Sequence, residues 1–217
     1  MTWLTTTDAG LITRIAIGVA IFTALALHDY LRNRHRATRW REYTILLMTV
    51  AGAIAYGVIN DQLTSSISWE YFYYGKELAE KLGPRTPPDP LALHLAAAVV
   101  GIKATWSAGL IIGVAILLAN NPSKSRPHPP QLPMRKLLRI IPIIFGITAL
   151  IAAIGAGVGY SALPARWNED FAEMLQANLW RPRRFMTVYG IHLGGYIGGL
   201  LAMIIAVILI RRRRRAS

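Results

Sequence analysis

The chain has 217 residues, of which 53% are hydrophobic and only 16% are charged, and its formal net charge is +13. Because soluble domains usually carry about 25% charged residues, this composition indicates a protein of the lipid bilayer and argues against a water-soluble domain. The sequence contains no cysteine, which excludes disulfides, thiolate metal sites and cysteine nucleophiles.

Five apolar stretches have the length of membrane spans, and in chain order they cover residues 11–30, 43–60, 91–119, 137–163 and 185–210. The third, with 29 residues, would extend ~43 Å as a helix against a hydrocarbon core of ~30 Å, so it must tilt or protrude. Pro142 predicts a kink in the fourth stretch. The first ten residues lack the basic segment of a secretory signal, so the first stretch is expected to remain as a span.

Basic residues lie in alternate gaps between these stretches. Of the 24 Lys and Arg residues, 14 lie after the first, third and fifth stretches and Arg139 lies at the same end of the fourth, which makes 15 on one side. The opposite gaps and the N-terminal segment hold 9 of the 11 Asp and Glu residues. Since short basic loops stay in the cytoplasm, the pattern predicts an N-terminus outside and a C-terminus inside. Topology therefore accounts for the positive charge, and no nucleic-acid surface is needed. The tail is expected to bind anionic lipid headgroups through Arg211, Arg212, Arg213, Arg214 and Arg215.

The longest outer loop carries five aromatic residues between positions 69 and 74. Aromatic rings favour the boundary of the bilayer, so the loop predicts a short interfacial helix over about residues 68–82. Ser66 or Ser68 would cap this helix, and Gly83 would end it. The helix would act either as an anchor alone or as a lid over a polar site.

The inner loop after the third stretch, residues 120–133, contains five prolines. Proline fixes φ and removes a hydrogen-bond donor, so this loop predicts an extended connector of polyproline type. We interpret it as a stiff linker, in preference to a ligand for a proline-binding domain.

Glycines recur at a spacing of four residues in three of the predicted spans. This spacing lets two helix backbones approach closely inside a bilayer, either within the chain or between the chain and a second copy or a membrane partner. The glycines at this spacing are Gly109, Gly113, Gly155, Gly159, Gly190, Gly194 and Gly198.

Several ionisable residues fall in the outer half of the predicted bundle. Such groups are costly inside a bilayer, and they commonly mark functional sites. Two carboxylates and two imidazoles would suit a divalent metal such as Zn, Fe or Mn, or a small polar ligand. The candidate ligands are Asp61, Glu70, His94 and His192. The supporting residues are Lys103, Trp106 and Tyr189.

Other interpretations of these side chains remain open. Lys103 would pair with Asp61 or Glu70, Asp61 would simply end the second span, and His192 would be a hydrogen-bonded histidine of the bundle. His94 and His192, on neighbouring helices, would suit axial ligation of a b-type haem. No triad, Walker, dinucleotide or HExxH motif is present, so no catalytic residue is assigned and enzymatic activity is left open.

Two segments resemble a family of small multipass bacterial membrane proteins. The first is D-Q-L-T at 61–64, continuing as I-S-W-E-Y-F at 67–72, and the second is A-T-W at 104–106. In that family the segments read D-Q-x-T…I-S-x-E-Y-F and A-T-W-W-x-G, so this chain departs at Ser107. The resemblance implies a fold type and a structured outer loop, and it implies no activity.

Together these observations predict an all-α five-helix bundle in a bacterial cytoplasmic membrane, forming one domain over residues 1–217. An outward-facing pocket under the interfacial helix would bind a metal ion or a small polar ligand. The alternatives are an accessory subunit that docks a partner through its glycine-rich helix faces, and a redox subunit that holds haem.

Overall fold

The computed structural model describes residues 6–34, 39–121, 131–161, 173 and 179–216, and within these residues the chain forms helices and no strand. The short elements are a π-helix at Tyr71–Gly75, α3 at Ala79–Leu82 and α5 at Met134–Leu138. The long helices are α1 at Thr6–Asn33, α2 at Arg39–Ile67, α4 at Pro90–Asn120, α6 at Ile140–Ser161 and α7 at Pro182–Arg215.

Five stretches of the described residues are long and apolar enough to cross a membrane, which confirms the predicted all-α class with five spans. These stretches are Asp8–Asn33, Arg39–Ile67, Pro90–Asn120, Met134–Ser161 and Pro182–Arg215.

Helix α2 continues seven residues beyond the predicted end of the second span, to Ile67. The hydroxyl of Thr64 donates a hydrogen bond to the carbonyl oxygen of Asn60 at 2.8 Å, and that of Ser65 donates to Gln62 at 3.0 Å. Because the helix carbonyls satisfy these hydroxyls, polar residues can continue the helix instead of ending it. Asp61 therefore lies inside a helix, and the prediction that it ends the span was wrong.

The fourth span contains the break that its proline predicts. Helix α5 ends at Leu138, Arg139 forms a turn, and α6 begins at Ile140. Pro142 has no N–H to donate to the carbonyl of Leu138, and its ring crowds that carbonyl. The break at Arg139 lies in the turn of chain that this clash disrupts.

The described structure forms two compact units. Unit 1 comprises Tyr56–Ile102 and Gly146–Leu201, and unit 2 comprises Thr2–Ala55, Lys103–Phe145 and Ala202–Ser217. A single domain over residues 1–217 stays a prediction.

In unit 1, α6 and α7 contact each other through glycine. A Cβ atom on Gly155 would overlap the carbonyl oxygen of Gly190, and one on Gly159 would overlap that of Met186. A Cβ atom on Gly194 would lie 2.6 Å from the carbonyl oxygen of Ile151. The backbones thus approach as closely as the glycine spacing predicts, and the contact is made within the chain.

In unit 2, glycines of α4 contact α2 in the same way. A Cβ atom on Gly109 would lie 2.7 Å from the carbonyl oxygen of Thr49, and one on Gly113 would lie 2.9 Å from a methyl group of Leu46. The predicted glycine faces of α4 and α7 are therefore occupied by helices of the same chain.

The end of α4 in unit 2 is fixed by side chains. The amide of Asn120 accepts a hydrogen bond from the backbone N–H of Leu132 at 2.9 Å and donates one to its carbonyl at 3.2 Å. Arg214 is 7% exposed and donates to the carbonyl oxygen of Ala119 at 2.9 Å. Arg214 therefore binds an unpaired carbonyl at a helix C-terminus, which corrects its predicted role at lipid headgroups. Residues 122–130 of the proline-rich loop lie outside the described residues.

The junction between α1 and α2 in unit 2 uses a carboxylate. Asp29 accepts hydrogen bonds from the backbone N–H of Trp40 at 2.9 Å and from the amide of Asn33 at 2.6 Å. The first turn of a helix has unpaired N–H groups, so Asp29 caps α2 from the preceding helix.

Candidate functional site

The aromatic segment of the outer loop is buried in unit 1, and the single helix predicted over residues 68–82 is interrupted by a break at residues 76–78. The segment forms a π-helix at Tyr71–Gly75 and then, after a break, α3 at Ala79–Leu82. Tyr71, Phe72 and Tyr73 are 6%, 0% and 7% exposed. The wider turn of a π-helix changes the direction of successive side chains, and here these rings become the core of the unit.

The predicted ends of this segment are partly confirmed. The hydroxyl oxygen of Ser68 accepts a hydrogen bond from the backbone N–H of Tyr71 at 3.3 Å. Gly83 ends α3 with φ 80°, a left-handed value that glycine adopts without strain.

Asp61 and His192 meet in the interior of unit 1, where they are 3% and 9% exposed. The Oδ1 atom of Asp61 lies 3.7 Å from Nε2 of His192 and accepts a hydrogen bond from the amide of Asn60 at 3.3 Å. The Oδ2 atom is buried and has no hydrogen-bond partner among the described residues. The described residues therefore supply no hydrogen-bond donor to Oδ2 of Asp61.

His192 is held by neighbours on both its edge and its face. Its Nε2 atom lies 3.5 Å from the hydroxyl oxygen of Thr64. The ring of Tyr71 stacks on the imidazole at 4.8 Å between centroids and 14° between planes, and Phe72 meets it nearly edge-on at 6.2 Å. These contacts fix the imidazole beside Asp61.

Lys76 brings a positive charge to this group. Its Nζ atom lies 5.5 Å from the centroid of the Tyr71 ring, within the range of a cation–π contact. Burial lowers the pKa of Lys76, and the negative charge of Asp61 opposes this shift. Burial also raises the pKa of the Tyr71 hydroxyl, so the ring stays neutral beside Asp61.

Glu70 has a structural role that differs from the predicted one. It is 2% exposed, and its Oε1 atom accepts hydrogen bonds from the backbone N–H groups of Trp180, at 2.5 Å, and Arg181, at 3.2 Å. Both groups directly precede Pro182, the first residue of α7. Glu70 therefore satisfies unpaired N–H groups at the positive end of this helix.

His94, a residue of α4, contacts α2 one residue after Thr64. Its Nδ1 atom lies 3.1 Å from the hydroxyl of Ser65, and its backbone carbonyl accepts a hydrogen bond from Gln62 at 2.8 Å. Thr64 contacts one histidine and Ser65 the other, and consecutive helical residues point about 100° apart. The structure thus gives no support to the joint ligation of haem by His94 and His192.

The four predicted ligands do not form one cluster. Only Asp61 and His192 contact each other, and nowhere in residues 6–34, 39–121, 131–161, 173 and 179–216 do three or more acidic or histidine side chains form a group that could hold a metal ion. The metal hypothesis therefore gains no support from these residues.

The supporting residues also lie apart from the predicted pocket. Lys103 belongs to unit 2 and pairs with Asp8, which corrects its expected pairing with Asp61 or Glu70. Trp106 lines an apolar crevice of unit 2, whereas Tyr189 packs against the aromatic core of unit 1.

Sequence reasoning missed Thr64 and Lys76 as neighbours of the Asp61–His192 pair, and it treated Tyr71 only as part of an aromatic belt. Thr64 and Tyr71 both belong to the segments that carry the family resemblance. Lys76 follows the π-helix, and its position depends on that helix, which has no recognisable sequence signal.

Comparisons with known proteins give no match to a family model, to a curated protein or to a solved structure. The site is therefore interpreted from its geometry alone.

Proposed function

We propose that this chain is a multipass membrane protein that binds a small polar ligand at Asp61, through a hydrogen-bond donor or a positive charge on the ligand. The observation that carries the proposal is the buried Oδ2 atom of Asp61, which has no partner among the described residues. The site consists of Asp61, Thr64, Tyr71, Lys76 and His192, which all belong to unit 1.

An unpaired carboxyl group in the interior of a protein costs free energy. A buried polar group without a partner costs about 1–3 kcal/mol, and a charged group costs more. If Asp61 is ionised, Oδ2 needs a donor, and if it is protonated at Oδ2, that atom needs an acceptor. Either state leaves a position beside Oδ2 that an exchangeable polar group would occupy favourably.

The character of the ligand follows from the neighbouring groups. Two of the predicted metal ligands are used elsewhere, since Glu70 binds backbone N–H groups and His94 binds Ser65. Asp61 and His192 alone supply two donors, fewer than the three or more that protein metal sites usually provide. A small cation or hydrogen-bond donor held by one carboxylate, beside the aromatic ring of Tyr71, fits the group better.

The proposal includes a location and an orientation. The five apolar helices support a multipass membrane protein. The basic gaps support a bacterial cytoplasmic membrane with the arginine-rich end inside, which would turn the loop after α2 to the outer side. A reporter enzyme that is active only outside the cytoplasm should be inactive when it is fused after Ser217. An active reporter would show that the C-terminus lies outside and would contradict the proposed orientation. We also propose that the chain is related to the family of small multipass bacterial membrane proteins whose outer loop carries the D-Q-x-T segment.

The accessory-subunit alternative loses its main support. The glycine faces of α4 and α7 contact α2 and α6 of the same chain, so they do not form a surface for a partner.

Ligand-dependent thermal stability tests the proposal. The purified protein would be heated in detergent with ammonium, sodium or zinc chloride, and with choline chloride as the ionic-strength control. A ligand at 100 times its dissociation constant stabilises the folded state by about 2.7 kcal/mol. At least one of the three salts should raise the unfolding temperature of the wild type but not that of Asp61→Asn.

The matched control is Glu80→Gln, which neutralises an exposed carboxylate of the same unit. This variant should respond to the salts as the wild type does. No stabilisation by any salt, or the same stabilisation in Asp61→Asn, would contradict the proposal. Stabilisation by zinc alone would favour the metal version.

A further inference from the structure

Unit 2 contains a crevice of about 250 Å³ between α1, α2 and α4. Its walls are apolar and include Phe22 of α1, Val50 of α2, and Trp106 and Leu110 of α4. Gly18 forms part of the α1 wall, and a Cβ atom added there would meet nothing within 4 Å. The crevice therefore has room for an apolar chain at Gly18.

Arg14 is the one charged residue among the described residues that line this crevice. Within the part of the chain that the structure describes, no carboxylate forms a salt bridge with Arg14. Asp8, six residues earlier on α1, is 4% exposed and pairs with Lys103 of α4. The nearby acid is thus already engaged, and the guanidinium group remains available to an external anion.

The position of Arg14 along the span places it near the membrane surface. The candidate span Asp8–Asn33 has 26 residues, which is ~39 Å of helix against a hydrocarbon core of ~30 Å. If the span is centred, the Cα atom of Arg14 lies ~4–5 Å below the edge of the core. A snorkelling arginine at that depth reaches the phosphate groups of lipids.

We propose that this crevice is a specific site for one anionic phospholipid, with an acyl chain along the α1 wall at Gly18 and the lipid phosphate paired with Arg14. An apolar crevice excludes water and gains dispersion contacts from a hydrocarbon chain. A guanidinium group binds phosphate through two parallel hydrogen bonds. In a zwitterionic headgroup the ammonium group partly cancels the negative charge of the phosphate, so the attraction to Arg14 is weaker. This site is independent of Asp61, which belongs to unit 1.

Native mass spectrometry tests the proposal. The full chain would be reconstituted with equal amounts of phosphatidylglycerol and phosphatidylcholine and then transferred to a mild detergent. The wild type should retain one lipid, with phosphatidylglycerol preferred. Arg14→Gln should lower that preference about fivefold, because one basic residue near an anionic lipid contributes about 1 kcal/mol.

Gly18→Leu fills the crevice without a backbone clash and should reduce retention of either lipid at least tenfold. The matched control is Gly10→Leu on the same helix, where an added Cβ atom also meets nothing within 4 Å and which does not line this crevice. Both variants gain the same helix propensity, so a difference in lipid retention between them reports the loss of space in the crevice. Equal retention by the two variants would overturn the proposal, as would a wild type without headgroup preference.

Discussion

Removal of the Glu70 carboxylate should destabilise unit 1 through the N-terminus of α7. Glu70 accepts hydrogen bonds from two backbone N–H groups at positions 180 and 181, and it is 2% exposed. A hydrogen bond to a charged group contributes about 1.5–3 kcal/mol, so Glu70→Ala should lower the free energy of unfolding by about 3–6 kcal/mol. Native proteins are stable by only about 5–15 kcal/mol, so the loss is large.

Glu70→Gln separates hydrogen bonding from charge. Its amide oxygen can still accept from both N–H groups, and only the interaction of the charge with the helix dipole is lost, about 1–2 kcal/mol. Both variants can be followed by tryptophan fluorescence during unfolding in detergent, because the rings of Trp69 and Trp180 lie 6.0 Å apart across this contact. A wild-type unfolding midpoint for Glu70→Ala, or equal instability of Glu70→Gln and Glu70→Ala, would refute this role of Glu70.

Three further predictions concern other parts of the chain. Gly155→Ala should lower stability by about 1–3 kcal/mol because its methyl group would overlap the backbone of α7. The control Gly157→Ala, whose added Cβ atom meets nothing within 4 Å, should gain up to about 1 kcal/mol in the same thermal assay. Arg214→Gln should lower the unfolding midpoint because the last carbonyls of α4 lose a charged donor, and Arg212→Gln, at an exposed site, should leave it unchanged. The pKa of Lys76 is lowered in the folded state, so the unfolded chain binds more protons and stability should rise as the pH increases toward 10.5. Lys76→Met should flatten that rise, and an equally steep profile in the variant would refute the assignment.

The five spans could be predicted because their signal is local: each needs only enough consecutive apolar residues. The break near Pro142 could be predicted for the same reason, since a missing N–H acts within one turn. The extension of α2 through Asp61 could not, because the Thr64 and Ser65 hydroxyls are satisfied by carbonyls that exist only once the helix forms.

The candidate site was predicted in part. Asp61 and His192 are candidates because ionisable groups are costly in apolar helices and commonly mark functional sites, and the structure brings these two together. Glu70 and His94 satisfied the same criterion but have partners that depend on tertiary structure, at the start of α7 and on the adjacent face of α2. Sequence spacing carries no information about such contacts between helices.

The most direct test of the central claim is a crystal structure of the protein purified from its native membrane. The account predicts ordered density that is not protein within hydrogen-bond distance of Oδ2 of Asp61, and its loss in Asp61→Asn. A protein side chain or backbone N–H bound to that oxygen would contradict the account, because the carboxylate would then need no ligand.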